Sequence, residues 1–227
     1  MRFPHPAAVS LLGLLLFGCS TNPQAQQATF GTRNEPVEGL PAKLPDFNAQ
    51  TRFAAGQVDE TQHNPDGAIT QYQEALKLDP KNLAALYRLG IVYAEVKKYP
   101  EAVLVWQRYV EVSGKSATAY ADLGFCQDLA GQPEQAELSY KAGIARDAKN
   151  VPCRVNYGLL LARRDRIGDA IDQWQTVLTP AEVHYNLGGV YAAQGNKAKA
   201  RAEFNKALEL DPNFNDAKQR VSSLDNN

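Results

Sequence analysis

Three residue series share one spacing in this chain, and that spacing constrains its fold more than any other feature. Gly56, Gly90, Gly124 and Gly158 are evenly spaced, and Gly188 follows after a slightly shorter interval. Ala68, Ala102, Ala136 and Ala170 keep the same step, and Ala200 again comes early by the same amount. Between them runs an aromatic series: Tyr72, Trp106, Tyr140, Trp174 and Phe204. Independent series with one period and one shared deletion mean that a single supersecondary unit is repeated about five times.

The unit reads as a helical hairpin. Alanine is common and β-branched runs are absent, which favours helix. The aromatic four residues after each alanine lies on the same helical face. Asp79-Pro80 and Asp211-Pro212 close second helices, because proline clashes with the preceding turn. Gly195-Asn196 makes the turn inside the last copy. The recurring glycine is expected where the first helix crosses the second, letting the backbones approach, with the recurring alanine facing it. The aromatic is expected to fill the space between successive hairpins. The expected fold class is all-α, a solenoid of about five helix-turn-helix repeats. The repeats are placed at 49–82, 83–116, 117–150, 151–180 and 181–214. After Pro212, Phe214, Ala217, Val221 and Leu224 recur at helical spacing among polar residues. Residues 214–227 are therefore expected to supply a capping helix and tail over the last apolar face.

The pattern resembles the tetratricopeptide repeat. Leu89-Gly90, Tyr93, Ala102 and Trp106 in the second copy match the family's signature positions. So do Leu187-Gly188, Tyr191, Ala200, Phe204, Ala207 and Pro212 in the fifth. The chain departs from the pattern at three places. Asp59 stands where the family prefers Tyr, and Tyr109 stands where Ala is usual. The fourth copy lacks about four residues after Val177, which is expected to shorten its second helix.

The start of the chain is different material. Arg2 and the free amine precede an apolar run of 11 residues from Ala7 to Phe17. That fits a signal-peptide core and is too short to span a bilayer, which takes roughly 20 residues. The run ends in Leu16-Phe17-Gly18-Cys19, which resembles a bacterial lipobox with a bulky Phe17. The resemblance implies a signal peptide over 1–18 and lipidation of Cys19, with several acyl chains giving stable anchoring. The other reading is an ordinary secretory signal with an incidental cysteine. Ser20, in place of the inner-membrane retention Asp, implies the outer membrane facing the periplasm. Residues 19–48 are rich in Gln, Asn, Thr and Pro and keep no apolar period. They are expected to be a flexible tether with a reach of roughly 30 Å.

No catalytic constellation is present. The sequence has no GxSxG, HExxH, Walker loop or GxGxxG. No His or Cys spacing suits a metal, and no cofactor is expected. Net charge is −1, from 24 basic and 25 acidic residues, which argues against nucleic acid as a partner. Membrane contact is expected through the lipid anchor alone. Cys126 and Cys153 read as small buried apolar residues, with a disulfide between neighbouring first helices as the alternative. Basic clusters at Lys97-Lys98, at Arg163, Arg164 and Arg166, and at Lys197 and Lys199 read as solvated helix ends. An acidic partner site is the alternative there.

The resemblance places a binding groove on the inner face, lined by positions two, five, nine, twelve and thirteen of each first helix. Carried over, these positions include Gln57, Glu95, Thr118 and Asp128. The candidate peptide-binding residues are Phe53, Tyr87, Ile91, Phe125, Leu129, Val155, Leu159, Arg163 and Tyr185. Seven of these, from Phe53 to Leu159 without the charged and terminal ones, would form an apolar stripe fit for a helix or an extended peptide. Tyr87 and Ile91 occupy places that carboxylate-clamping members fill with polar residues, which excludes that mode. The architecture resembles tetratricopeptide-repeat lipoproteins of pilus assembly and secretion, including pilotins and the tight-adherence pilus lipoprotein. It implies a non-enzymatic protein–protein interaction scaffold. The alternative is an envelope-maintenance adaptor that recruits peptidoglycan enzymes or proteases. Oligomeric state is left open.

Overall fold

The structure is a computed structural model that describes residues 47–225. The leader, Cys19 and the tether up to residue 46 lie outside the described residues. The described chain is helical throughout, with α1 (Ala49–Thr61), α2 (Pro65–Leu78), α3 (Leu83–Glu95), α4 (Tyr99–Val112), α5 (Ala117–Leu129) and α6 (Pro133–Arg146). There follow α7 (Val151–Arg163), α8 (Ile167–Gln175), α9 (Pro180–Ala193), α10 (Lys197–Leu210) and α11 (Asn215–Asp225). Consecutive helices pair as hairpins, α1 with α2 through α9 with α10, and each hairpin stacks on the next. None of the described helices is long and apolar enough to cross a membrane.

The glycine series acts differently from the expectation. A Cβ added at Gly56 would lie 2.5 Å from the Tyr72 ring, and one at Gly158 would lie 2.2 Å from Trp174 Nε1. Gly90 faces Trp106, Gly124 faces Tyr140 and Gly188 faces Phe204 in the same way. Each glycine therefore makes room for the aromatic ring of its own hairpin rather than for a bare backbone crossing. The rings seal the inside of each hairpin, and Tyr72, Tyr140 and Trp174 have no exposed surface.

Two further periodic series fix the ends of the helices. Asn48, Asn82, Ser116 and Asn150 recur at the same interval as the glycines and cap α1, α3, α5 and α7. Each side chain accepts from a backbone N–H in the first turn, a contribution of about 1 kcal/mol apiece. Asn48 is the residue that caps α1, which begins at Ala49. His63, Lys97, Gly131, Asp165 and Gly195 all take the left-handed conformation after a first helix. Glycine adopts that conformation without strain at 131 and 195, while the other three carry a side chain there.

Asp59, where the family has Tyr, accepts a hydrogen bond from Asn64 Nδ2 at 2.9 Å and so helps to shape the first turn. α8 has 9 residues against 14 in α2, α4, α6 and α10. The half-buried Val177 and Leu178 continue past its end and pack on the core. A Thr179–Glu182 capping box then starts α9. Two apolar clusters run through the array and meet within the third repeat. At that boundary Ser139 donates to Gln127 Oε1 at 2.6 Å, and both residues are buried. α11 places Ala217 at 0% exposure and Val221 and Leu224 half-buried, with Lys218, Gln219 and Ser222 outward. That polar outer face ends the stack.

Candidate functional site

The inner face is set by how closely the first helices approach one another. α5 packs directly on α7, and α7 on α9, whereas α3 meets α5 chiefly through α4. The first helices α1 and α3 are likewise farther apart than α5 and α7. In repeat three the residue near the end of the second helix is Gly143, and a Cβ there would lie 2.3 Å from Cys153 Sγ. Its absence lets α7 close in. The same register place in repeat two holds Tyr109, whose ring lies 5.3 Å from Trp106 and 5.7 Å from Tyr87. Tyr87 meets Trp106 edge-on at 5.5 Å. These three rings pack together at the junction of repeats two and three, where α3 and α5 lie farther apart than α5 and α7.

The sequence-derived groove residues divide into two groups. Phe53, Tyr87, Ile91 and Phe125 are half-buried against the first apolar cluster, and Leu159 against the second. Leu129 is half-buried as well. Of the other three, Val155 leaves the apolar stripe. Val155 is 7% exposed and belongs to the core, because α5, α7 and α9 close over it. Tyr185 is half-buried, with its ring 4.9 Å from Phe214 of the C-terminal segment. Arg163 pairs with Asp128 and is no free cation. The open apolar surface is therefore most continuous at repeats two and three.

The basic cluster after α7 is neutralised by the preceding repeat. Arg164 reaches Glu134 at 2.9 Å, and Arg166 reaches Glu137 at 3.4 Å and Asp169 at 2.7 Å. These exposed pairs are worth roughly 0–1 kcal/mol each, and their main effect is to leave no positive patch there. Cys126 and Cys153 are buried and unpaired. Cys153 Sγ points at Ala117 O at 3.3 Å, away from any partner thiol. Burial, followed by the Asp122 charge, pushes both thiols up to about 12, so they stay protonated.

Asp122 is the residue that sequence reasoning missed. It sits on the side of α5 that carries the buried Ala119 and Cys126 and faces the second repeat. Every other half-buried carboxylate among the described residues has a partner. Glu60 receives Arg88 and Tyr72, Asp128 receives Arg163, and Glu137 receives Lys141 and Tyr157. Glu203 meets His184 at 2.7 Å, Glu74 meets Lys77, and Asp59, Asp79 and Glu182 accept local hydrogen bonds. Asp122 receives neither a hydrogen bond nor an ion pair from the described residues, and burial pushes its carboxyl up to about 7. Burial and then the Asp122 charge hold the Tyr87 and Tyr109 phenols above the usual tyrosine range. The available signal was Tyr109 itself, a large ring at a small-residue place, next to a repeat whose sixth residue is acidic.

A second apolar surface lies on the outer helices. Leu104 is 63% exposed and Leu138 is 67% exposed. A depression of about 260 Å³ near Leu104 has Leu76, Leu89 and Val105 in its floor and Lys77, Glu101 and Arg108 at its rim. Among the described residues no group of His, Cys, Asp and Glu is placed to hold a metal ion.

Comparison with known proteins agrees with the fold. Residues 181–214 match the family described as "Tetratricopeptide repeat", and residues 64–97 match "TPR repeat". The type IV pilus assembly protein PilF of Pseudomonas aeruginosa is 28% identical over 135 residues, which covers 57% of this chain and 54% of PilF. The chain spans about half the length, or less, of the first curated relatives it matches. A crystal structure of MamA is 26% identical, with a TM-score of 0.56, covering 68% of this chain and 92% of that one. YrrB, described as a TPR protein with an unusual peptide-binding site, is 23% identical, with a TM-score of 0.55, covering 76% of this chain and 91% of that one. The chain carries tetratricopeptide repeats, and its described part is an all-α tetratricopeptide-repeat solenoid.

Proposed function

We propose that this protein is a non-enzymatic docking scaffold whose inner face, at repeats two and three, holds a segment of a partner protein. The observation that carries the reading is the half-buried row Tyr87, Ile91 and Phe125 on α3 and α5, first helices that lie farther apart than α5 and α7. Such a surface suits a helix or an extended peptide. The lipobox-like end at Cys19 supports anchoring at the outer membrane, with the solenoid in the periplasm. The likeness to PilF supports a role in pilus or secretion-system assembly.

Tyr87→Ala with Phe125→Ala tests the docking face. Aromatic anchors carry much of the energy of such interfaces, so partner capture from envelope extract should fall roughly tenfold or more. Undiminished capture by a folded double variant removes the inner face from the account. Cys19→Ala tests the anchor separately. It is expected to move the protein from the membrane to the soluble fraction of lysed cells, and retention in the membrane pellet would refute lipidation. Recovery of a cell-wall enzyme instead of an assembly factor would redirect the role to envelope maintenance.

A further inference from the structure

We propose that the inner surface between α3 and α5 is a seat for a lysine or arginine side chain of the partner, received by the Asp122 carboxylate and flanked by the Tyr87 and Tyr109 rings. The inference rests on the docking reading above and names the chemistry of what docks.

Three observations point to a cation. The first is the absence of any counter-charge among the described residues. Arg88, the cation whose charge also acts on Tyr87, donates to Glu60 from Nε at 3.0 Å and from Nη2 as well. No other described cation pairs with Asp122, and the groups that feel its charge are the neutral Tyr87, Tyr109, Cys126 and Cys153. The second is the aromatic surround. Tyr87 and Tyr109 are half-buried with centroids 5.7 Å apart, and their faces and hydroxyls suit an alkyl-ammonium or guanidinium group. The third is that the fold does not need a carboxylate there. The same register position holds Ala54, Arg88, Asn156 and Asn186 in the other repeats, all within well-formed first helices. An acid kept unpaired and half-buried where alanine or asparagine also folds is a local cost to stability, and costs of that kind collect at binding sites. A metal ion is the poorer match, since Asp122 belongs to no group of three or more His, Cys, Asp or Glu residues among the described residues.

The test uses the full chain and four labelled peptides, Gly-Leu-Xaa-Leu-Gly with Xaa as Lys, Arg, Gln or Glu, followed by fluorescence anisotropy. The Lys and Arg peptides are expected to bind roughly tenfold more tightly than the Gln peptide, and the Glu peptide more weakly still. Asp122→Asn should bring the Lys peptide to the level of the Gln peptide. Asparagine occupies this register in repeats four and five, so the variant is expected to fold. The preference for Lys should also grow between pH 6 and pH 8, as a carboxyl pushed up to about 7 ionises. Equal binding of the Lys and Gln peptides, or no binding of the Lys and Arg peptides, overturns the cation seat. The docking face fails by a different result, when Tyr87→Ala with Phe125→Ala leaves the binding of every peptide, and partner capture, unchanged.

Discussion

Gly158→Ala is expected to destabilise the solenoid by about 2–4 kcal/mol, although alanine is the better helix former by about 1 kcal/mol. The new Cβ would lie 2.2 Å from Trp174 Nε1 and 2.6 Å from Cε2. The ring cannot retreat. Trp174 has no exposed surface, and its Nε1 donates to Val155 O at 3.0 Å. Either the indole gives up that hydrogen bond or α7 and α8 separate. Gly189→Ala is the control of opposite sign, because nothing lies within 4 Å of a Cβ at Gly189 and its backbone is ordinary helix. It should gain up to about 1 kcal/mol. Urea unfolding of both variants reads the difference. If Gly158→Ala is as benign as Gly189→Ala, the glycine series does not exist to seat the rings, and the packing account is wrong.

Asp122→Asn is expected to leave stability unchanged near pH 4 and to raise it at pH 8. Inside the fold the carboxyl titrates at about 7, against an ordinary value of 3.8. Between those values the native chain holds a proton that the unfolded chain has released. Stability therefore falls as pH rises through this window and levels off above it. Asparagine removes the loss. At 1.36 kcal/mol per unit the ceiling is roughly 4 kcal/mol, and partial access of water to a half-buried group brings the expected gain to about 2–3 kcal/mol. Thermal or urea unfolding of the two proteins across pH 4 to 8 measures it. Parallel curves for variant and parent would mean that the carboxylate is solvated or paired, and the cation seat would lose its basis. A stabilising substitution that weakens binding is the trade expected of a functional residue.

The fold was legible because its packing repeats in the sequence. Gly56 to Gly188, Ala68 to Ala200 and Tyr72 to Phe204 occupy equivalent contacts, so the period reports the hairpin directly. The physical role of the glycines was misread, since spacing alone does not say which side chain a missing Cβ admits. The caps at Asn48, Asn82, Ser116 and Asn150 keep the same period but change residue type. The left-handed residues from His63 to Gly195 change type still more, which hid both series.

The candidate site was less legible because it depends on contacts between repeats. Val155 holds the same register place as the half-buried Tyr87, yet the approach of α5, α7 and α9 buries it. Arg163 reads as a groove cation until Asp128, 35 residues away, takes it. Tyr185 meets Phe214, from beyond its own hairpin. The isolation of Asp122 is legible only when every neighbouring cation is seen to be committed elsewhere, as Arg88 is to Glu60 across 28 residues.

Two apolar surfaces compete for a partner, the inner row at Tyr87, Ile91 and Phe125 and the outer pair Leu104 and Leu138. Photocrosslinking in cells decides between them. A photoreactive phenylalanine is placed in turn at Ile91, Phe125, Leu104 and Leu138, and the adducts are identified by mass spectrometry. The account predicts one discrete protein partner captured from positions 91 and 125, with little or none from 104 and 138. Capture from 104 and 138 with none from 91 and 125 would contradict it.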